Sequence, residues 1–430
     1  MFFSRAISKR RLGVSILFIV LFCCFNQNIK AQPAEIFISK NAIKENKIRL
    51  YKNLVNNAIN NNLSVALTDS TETDWAYAFS VMELIRYHSP WAESRIHQAF
   101  YGIEKRSDYF KQALLEMLYT NYPNQFVRDV EALFNESSND KTVAICAEYL
   151  LKSKPEIKTE LRLKVKLLLL ADTNSVVLKQ FLNHAYYLDS KNELPNLQDV
   201  FYQPFFKNAT VVFSVQRKNR DYPGIAFIRD SAGNFLKDAY GNIFSVPQLA
   251  RSVNNLPGYL SNGNTPQGIF RMKGFAVSRS DFIGPTPNLQ LTMPYETSIQ
   301  HFLNDSSITD SSWNVSWYKK LLPESWKNYE PIYESYFAGK AGRTEIIAHG
   351  STINPDYYIG QPYYPITPTL GCLSTKEIWS EEDGSRQISK QQELVDALQK
   401  AGGANGYFIV LEINDEKKPV TVEELQQWIK

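Results

Sequence analysis

The hydrophobic period of the chain changes once, and that change limits the fold more than any other feature. Between about residues 41 and 189 apolar residues recur at spacings of three and four. "SDYFKQALLEMLYTNY", "NQFVRDVEALFNES", "DKTVAICAEYLLKS" and "TELRLKVKLLLLAD" all carry this pattern, which lines one face of an α-helix. Ser107, Asn124 and Asp140 stand where N-caps belong, and Pro123 and Pro155 punctuate the intervals. The segments recur as short pairs at roughly 30-residue spacing, which predicts an all-α, HEAT-like helical array over residues 35–190.

"SKNELPNLQDVFYQPFFKNAT" then breaks the period with prolines and asparagines, and we place a linker at residues 191–207. Beyond it "TVVFSVQRK", "GIAFIRDSAGNFL", "GIFRMKGFAV", "RTEIIAHG" and "GYFIVLEIN" read as strands. "SVPQLARSVNN", "WYKKLLPESWKNYEPIYESYF" and "SKQQELVDALQKAGG" read as helices. The chain is therefore expected to be multidomain, with a mixed α/β, β-rich domain at residues 208–430 that folds alone. Strands and helices do not alternate regularly, and neither G-x-G-x-x-G nor G-x-x-x-x-G-K-[ST] occurs. A parallel nucleotide-binding sheet is thereby disfavoured.

The start, "MFFSRAISKRRLGVSILFIVLFCCFNQNIKAQPA", has the build of a targeting segment. Arg5, Lys9, Arg10 and Arg11 precede an apolar run at residues 12–25 that is short for a membrane span, and Ala31 offers a small residue for cleavage. We expect a signal peptide at residues 1–31 and an exported protein of the periplasm or cell envelope. Its removal takes five basic and no acidic residues, moving the formal charge from +3 to −2. That balance gives no reason to invoke nucleic acid. Cys23 and Cys24 leave with it, so Cys146 and Cys372 remain. Two cysteines in an exported chain can pair, but Cys146 lies on the apolar side of a helical pattern and reads as a buried hydrophobe. Cys372 is left as a candidate reactive thiol.

Cys372 shares one stretch, "EIIAHGSTINPDYYIGQPYYPITPTLGCLSTKEIW", with His349. A catalytic cysteine needs thiolate character, a neighbouring base and donors for an oxyanion. "LSTKEIW" has capping-box spacing, with Ser374 as N-cap and Glu377 three residues later, so a helix is predicted after Cys372. Its positive end would favour the thiolate. Gly371 permits a tight turn that can aim backbone N–H groups into a pocket. His349 closes an apolar run that reads as a strand, and the loop with Tyr363 and Tyr364 reads as a pocket wall. Spacing alone leaves open that His349 caps a strand while Cys372 packs separately. No C-x-x-C or H-x-x-x-H lies nearby, so no metal is expected. His88, His97 and His184 are isolated, and the helical half reads as a scaffold or an interaction surface.

His349-Gly350, an 18-residue interval and "TLGCLS" resemble the L,D-transpeptidase (YkuD-like) catalytic domain. "NTPQGIFRMKG", ahead of both in the same order, looks like the Thr-Pro-x-Gly-x-Phe segment of that family. The resemblance covers about residues 208–414. It implies Cys372 as nucleophile, His349 as general base, and Thr369 and Gly371 as the turn beside the oxyanion hole. Gly350, Tyr363, Tyr364 and Ser374 are then candidates for substrate contact. Leu370 and Ser374 depart from the usual His, Lys or Arg and Arg or Asn at those places. The implied activity is cleavage of an L,D-amide bond in peptidoglycan stem peptides through a Cys thioester, with the acyl group passed to an amine or to water. No metal or organic cofactor is implied, and the helical array is left as the surface for any protein partner. The alternatives are a non-catalytic wall-binding or scaffold protein, and an L,D-carboxypeptidase only.

Overall fold

The computed structural model describes residues 37–189 and 193–429. The expected signal peptide lies outside the described residues. No helix among them is long and apolar enough to cross a membrane.

The N-terminal half is helical. Glu72–Leu84, Asp108–Asn121, Asp140–Ser153 and Val176–Tyr187 stack in chain order, with Val127–Glu136 and Lys158–Ala171 packed beside them. Ser89, Ser107, Asn139 and Ser175 each accept an N–H three residues on, and caps of this kind contribute about 1 kcal/mol each. Ser107 caps as its sequence implied. Asn139, not Asp140, caps the next but one helix, and the helix after Asn124 starts only at Val127. Cys146 is fully buried in Asp140–Ser153 and unpaired.

The C-terminal half is rich in strands, and eight of them close into a barrel. They are β1 (Val211–Gln216), β2 (Gly224–Arg229), β3 (Ser245–Leu249), β4 (Gly268–Ala276), β5 (Asn288–Thr292), β6 (Ile347–His349), β7 (Leu373–Thr375) and β10 (Tyr407–Glu412). Their order is β1-β10-β4-β5-β6-β7-β3-β2. β1–β10 and β6–β7 are parallel, and the other pairs are antiparallel. β8 (Glu377–Trp379) and β9 (Arg386–Ser389) form a separate hairpin. "SVPQLARSVNN", expected as a helix, begins instead with β3. Pro247 would disrupt a helix there, and as a strand residue it faces β2 Ile225.

Side chains alternate across the wall with period two. Val211, Phe213, Val215, Ile225, Phe227, Ile269, Tyr407 and Ile409 share one core. Val212, Ala226, Ile228, Phe270, Phe408 and Val410 share another with Leu394 and Leu398 of the helix Lys390–Lys400. With both faces covered, β1 and β2 are buried at every residue, hence their nearly unbroken apolar sequences.

The expected linker is part of this packing. Leu197, Val200, Phe201 and Phe206 join the same core as β1 and β2, and Arg229 donates to Phe206 O at 3.0 Å. The two halves also share a core, because Leu256, Tyr259 and Leu260 of the strand-rich half pack among the helices. Tyr259 Oη donates to Glu148 at 2.6 Å, and Asn262 Nδ2 to Glu116 at 3.1 Å. The change of fold type lies where the sequence breaks; the packing crosses it. A fragment of residues 208–430 would expose Leu256, Tyr259 and Leu260 and lack four core residues of the linker. It is expected to aggregate, while residues 37–430 remain soluble. Light scattering on both checks this; a soluble, cooperatively melting 208–430 fragment would contradict it.

Candidate active site

His349 is the last residue of β6, and Cys372 immediately precedes β7. These strands pair in parallel, with Ala348 opposite Leu373 and His349 opposite Ser374. The fold thus places His349 at the end of one strand and Cys372 just before its neighbour, and among the described residues no hydrogen bond joins the two side chains. The Cys372 Sγ lies 3.6 Å from Glu345 O, and the Ile347 N–H is directed at it. Cys372 is intermediate in exposure as a residue, and Leu370, two places earlier, is 53% exposed. His349 is buried, and its Nδ1 is hydrogen-bonded to Gly350 O. A carbonyl partner places the proton on Nδ1 and leaves Nε2 as the basic nitrogen.

"LSTKEIW" is not a helix. It forms β7 and β8, so Ser374 is not an N-cap and no helix dipole acts on Cys372. Ser374 is fully buried and donates to Thr367 O at 2.6 Å, which removes it from substrate contact. Pairing with β6 and β3 outweighs the local capping signal.

The turn before Cys372 is held from two sides. Thr369 Oγ1 accepts the Gly371 N–H at 3.0 Å and donates to Cys372 O at 2.7 Å. Thr265, from the T-P-Q-G segment, donates to Gly371 O at 2.9 Å. The Gly371 N–H is therefore engaged and is not a free oxyanion donor in this conformation. Gly371 has φ +110°, and a Cβ there would lie 2.1 Å from Arg343 Nη2, so both its backbone and its surroundings require glycine.

Arg343 is the residue that sequence reasoning missed. It is buried, and its guanidinium donates to the carbonyls of Leu260 (3.0 Å), Gly263 (2.6 Å), Asn264 (2.9 Å) and Gly258. Burial lowers its pKa to about 10. In "AGRTEIIAHG" it looks like any surface cation, and no local signal distinguishes it.

Burial pushes the Cys372 thiol up to about 11, against the pull of the Ile347 N–H and of Arg343. Burial also pushes His349 down to about 4, partly offset by the Gly350 carbonyl. At neutral pH the pair is thiol and neutral imidazole. This corrects the expectation of a depressed, partly ionised thiol, which rested on His349 and on the absent helix.

Gly350 also has a defined role. A Cβ there would lie 2.1 Å from the Glu377 carboxylate. Glu377 is buried, accepts from Ser389 Oγ at 2.6 Å, and has its pKa raised by that burial. Gly350 thus seats the strand end rather than presenting a side chain to substrate. Tyr363 is buried with Tyr358, Leu249 and Ile366, beneath Arg251 at 4.9 Å. It is core, not pocket wall. Tyr364 is 44% exposed. Tyr363→Ala is therefore expected to cost about 3–5 kcal/mol, as for other large aromatic truncations in cores. Tyr364→Ala should leave the melting curve within about 0.5 kcal/mol of wild type. Equal melting of both variants would contradict this placement. Among the described residues no cluster of three or more His, Cys, Asp or Glu side chains is arranged to hold a metal.

No family model, curated protein or solved structure matches the chain.

Proposed function

We propose that the chain is an exported cysteine acyltransferase of the L,D-transpeptidase type, acting on peptidoglycan stem peptides. One observation carries the reading: the three segments of the resemblance converge. The His349 strand lies parallel beside the one that follows Cys372, and Thr265 of T-P-Q-G holds the carbonyl of Gly371.

In the reaction His349 Nε2 takes the thiol proton as Cys372 Sγ attacks the carbonyl carbon of the L,D-amide. The tetrahedral oxyanion collapses with cleavage of the C–N bond, and the imidazolium returns the proton to the departing D-amino acid. The thioester then passes its acyl group to an amine, giving a cross-link, or to water. Starting from a neutral pair, the imidazole acts as a general base during attack, so no preformed thiolate is needed. Stabilising the oxyanion requires N–H donors, and Gly371 can supply one only by releasing Thr369 Oγ1.

We read the stacked helices as a HEAT-like array whose ordered stacking supports that description. Part of its surface already holds Tyr259 and Asn262 in cis, so a partner would use another face. Export rests on the leader-like residues 1–31.

A second reading, a non-catalytic wall-binding or scaffold protein, is favoured by the engaged Gly371 N–H and the raised thiol. Incubating protein lacking residues 1–31 with a disaccharide-tetrapeptide separates them. D-alanine release with dimer formation supports the transferase, and release alone supports an L,D-carboxypeptidase. Binding without release supports the scaffold.

A further inference from the structure

The strand-rich half carries six buried arginines, and five of them donate to carboxylates or to backbone carbonyls. Arg217 pairs with Glu424 at 2.7 Å, Arg220 with Glu412 at 2.8 Å and Arg251 with Asp221 at 2.6 Å. Arg229 donates to the carbonyls of Phe201 and Phe206, and Arg343 to four carbonyls. Arg271 differs. It is 9% exposed, and among the described residues neither a carboxylate nor a backbone carbonyl accepts from it. Its guanidinium lies 4.8 Å over the Tyr407 ring and hydrogen-bonds the Tyr407 hydroxyl, which itself donates to Phe302 O at 3.1 Å.

Arg271 lines a half-open depression of about 470 Å³ between β4, β10 and the loops at residues 205–209 and 303–304. Lys207, Asn208, Asn304 and Asn405 line it with polar groups, Phe205 and Tyr407 with aromatic rings, and among the described residues no acidic side chain lines it. Lys273 and Arg271 add to burial in lowering the pKa of nearby His301. A buried cation without a counter-charge is costly unless something anionic reaches it. A planar guanidinium matches an oxyanion in bidentate fashion. The volume lies within the range of small-molecule sites.

We propose that this depression binds a small ligand through an oxyanion group, a carboxylate or a phosphate, held by Arg271, with the asparagines at the rim and an apolar flank against Phe205 and Tyr407. None of the lining residues belongs to the Cys372 site, so the proposal stands apart from the acyl-transfer reading.

Calorimetric titration of the full chain lacking residues 1–31 with benzoate, acetate and inorganic phosphate, at fixed ionic strength, tests it. At least one anion is expected to bind saturably. Phosphate alone saturating identifies a phosphate site, and benzoate or acetate saturating identifies a carboxylate site; either supports the proposal. Arg271→Met is expected to weaken binding at least tenfold. Asn405→Asp sets a negative charge at an exposed rim position, so it should weaken binding without disturbing the fold, and it decides the matter where Arg271→Met fails to fold. Purely linear, non-saturating heats with all three anions, or undiminished affinity in Asn405→Asp, would overturn the site.

Discussion

Arg343→Met is expected to destabilise the protein by about 3–5 kcal/mol, because it strips buried backbone carbonyls of their donor. Four backbone carbonyls accept from this guanidinium, and each orphaned acceptor costs about 1–3 kcal/mol unless it finds another donor. The affected carbonyls belong to residues 258–264, the segment that also enters the helical core through Tyr259 and Leu260. The loss should therefore reach both halves. A second readout separates chemistry from folding. Arg343 lowers the thiol pKa through its charge, so where the variant folds, the midpoint of Cys372 alkylation should rise. Arg343→Lys keeps the charge but offers fewer, differently placed donors. It should restore the alkylation midpoint more fully than the melting temperature. A methionine variant with wild-type melting and wild-type alkylation would show that the guanidinium matters to neither.

The second large effect is in pH dependence. With its thiol near 11, Cys372 is ionised to roughly one part in a thousand at pH 8, against about a quarter for a thiol at the reference value. Iodoacetamide labelling of the unliganded protein should keep climbing past pH 10 instead of levelling near pH 9. Cys146, whose pKa burial raises still further, should label only on unfolding. Levelling of Cys372 labelling below pH 8.5 would contradict the raised thiol. His349 binds its proton more weakly folded than unfolded, because burial depresses it to about 4. Its contribution to stability is therefore complete above the unfolded value of about 6.5 and is lost as pH falls from there towards 4. Cys372 has the opposite sign: stability is lost as pH rises from the unfolded value of about 8.5 towards 11. The imidazole also remains a competent base well below pH 6.5, so D-alanine release should not fall off near that pH.

Much of the architecture was legible because it rests on local pattern. The three-and-four spacing gives the helices of residues 44–187, and the β-branched runs give β1, β2 and β10. His349 sits at a strand end as "TEIIAH" implied, and Cys146 is buried on its helix. The misreadings arise where long-range partners decide. Ser374 and Glu377 have the spacing of a capping box, but Leu373 to Thr375 pair with β6 and β3, and those ladders override the local signal. "VPQL" took a helical reading until β2 and β7 claimed it as β3. Tyr363 looked like a pocket wall because aromatic loops often are; its burial depends on Leu249 and Tyr358, distant or separately folded elements. Arg343 could not be found at all, since its partners are backbone carbonyls some 80 residues earlier, and carbonyls leave no mark in a sequence. Barrel closure depends on β1 pairing with β10 from the far end of the half, again outside the reach of periodicity.

The central claim is that Cys372 carries the acyl group. Intact-mass spectrometry of the protein lacking residues 1–31, quenched in acid during incubation with a disaccharide-tetrapeptide, measures this directly. The account predicts an adduct of the substrate less D-alanine, mapped to Cys372. It predicts loss of adduct and of D-alanine release in Cys372→Ala, and strongly slowed formation in His349→Ala, with both variants still folded. D-alanine release that persists in Cys372→Ala, or wild-type protein that binds the substrate and forms neither adduct nor product, would contradict it.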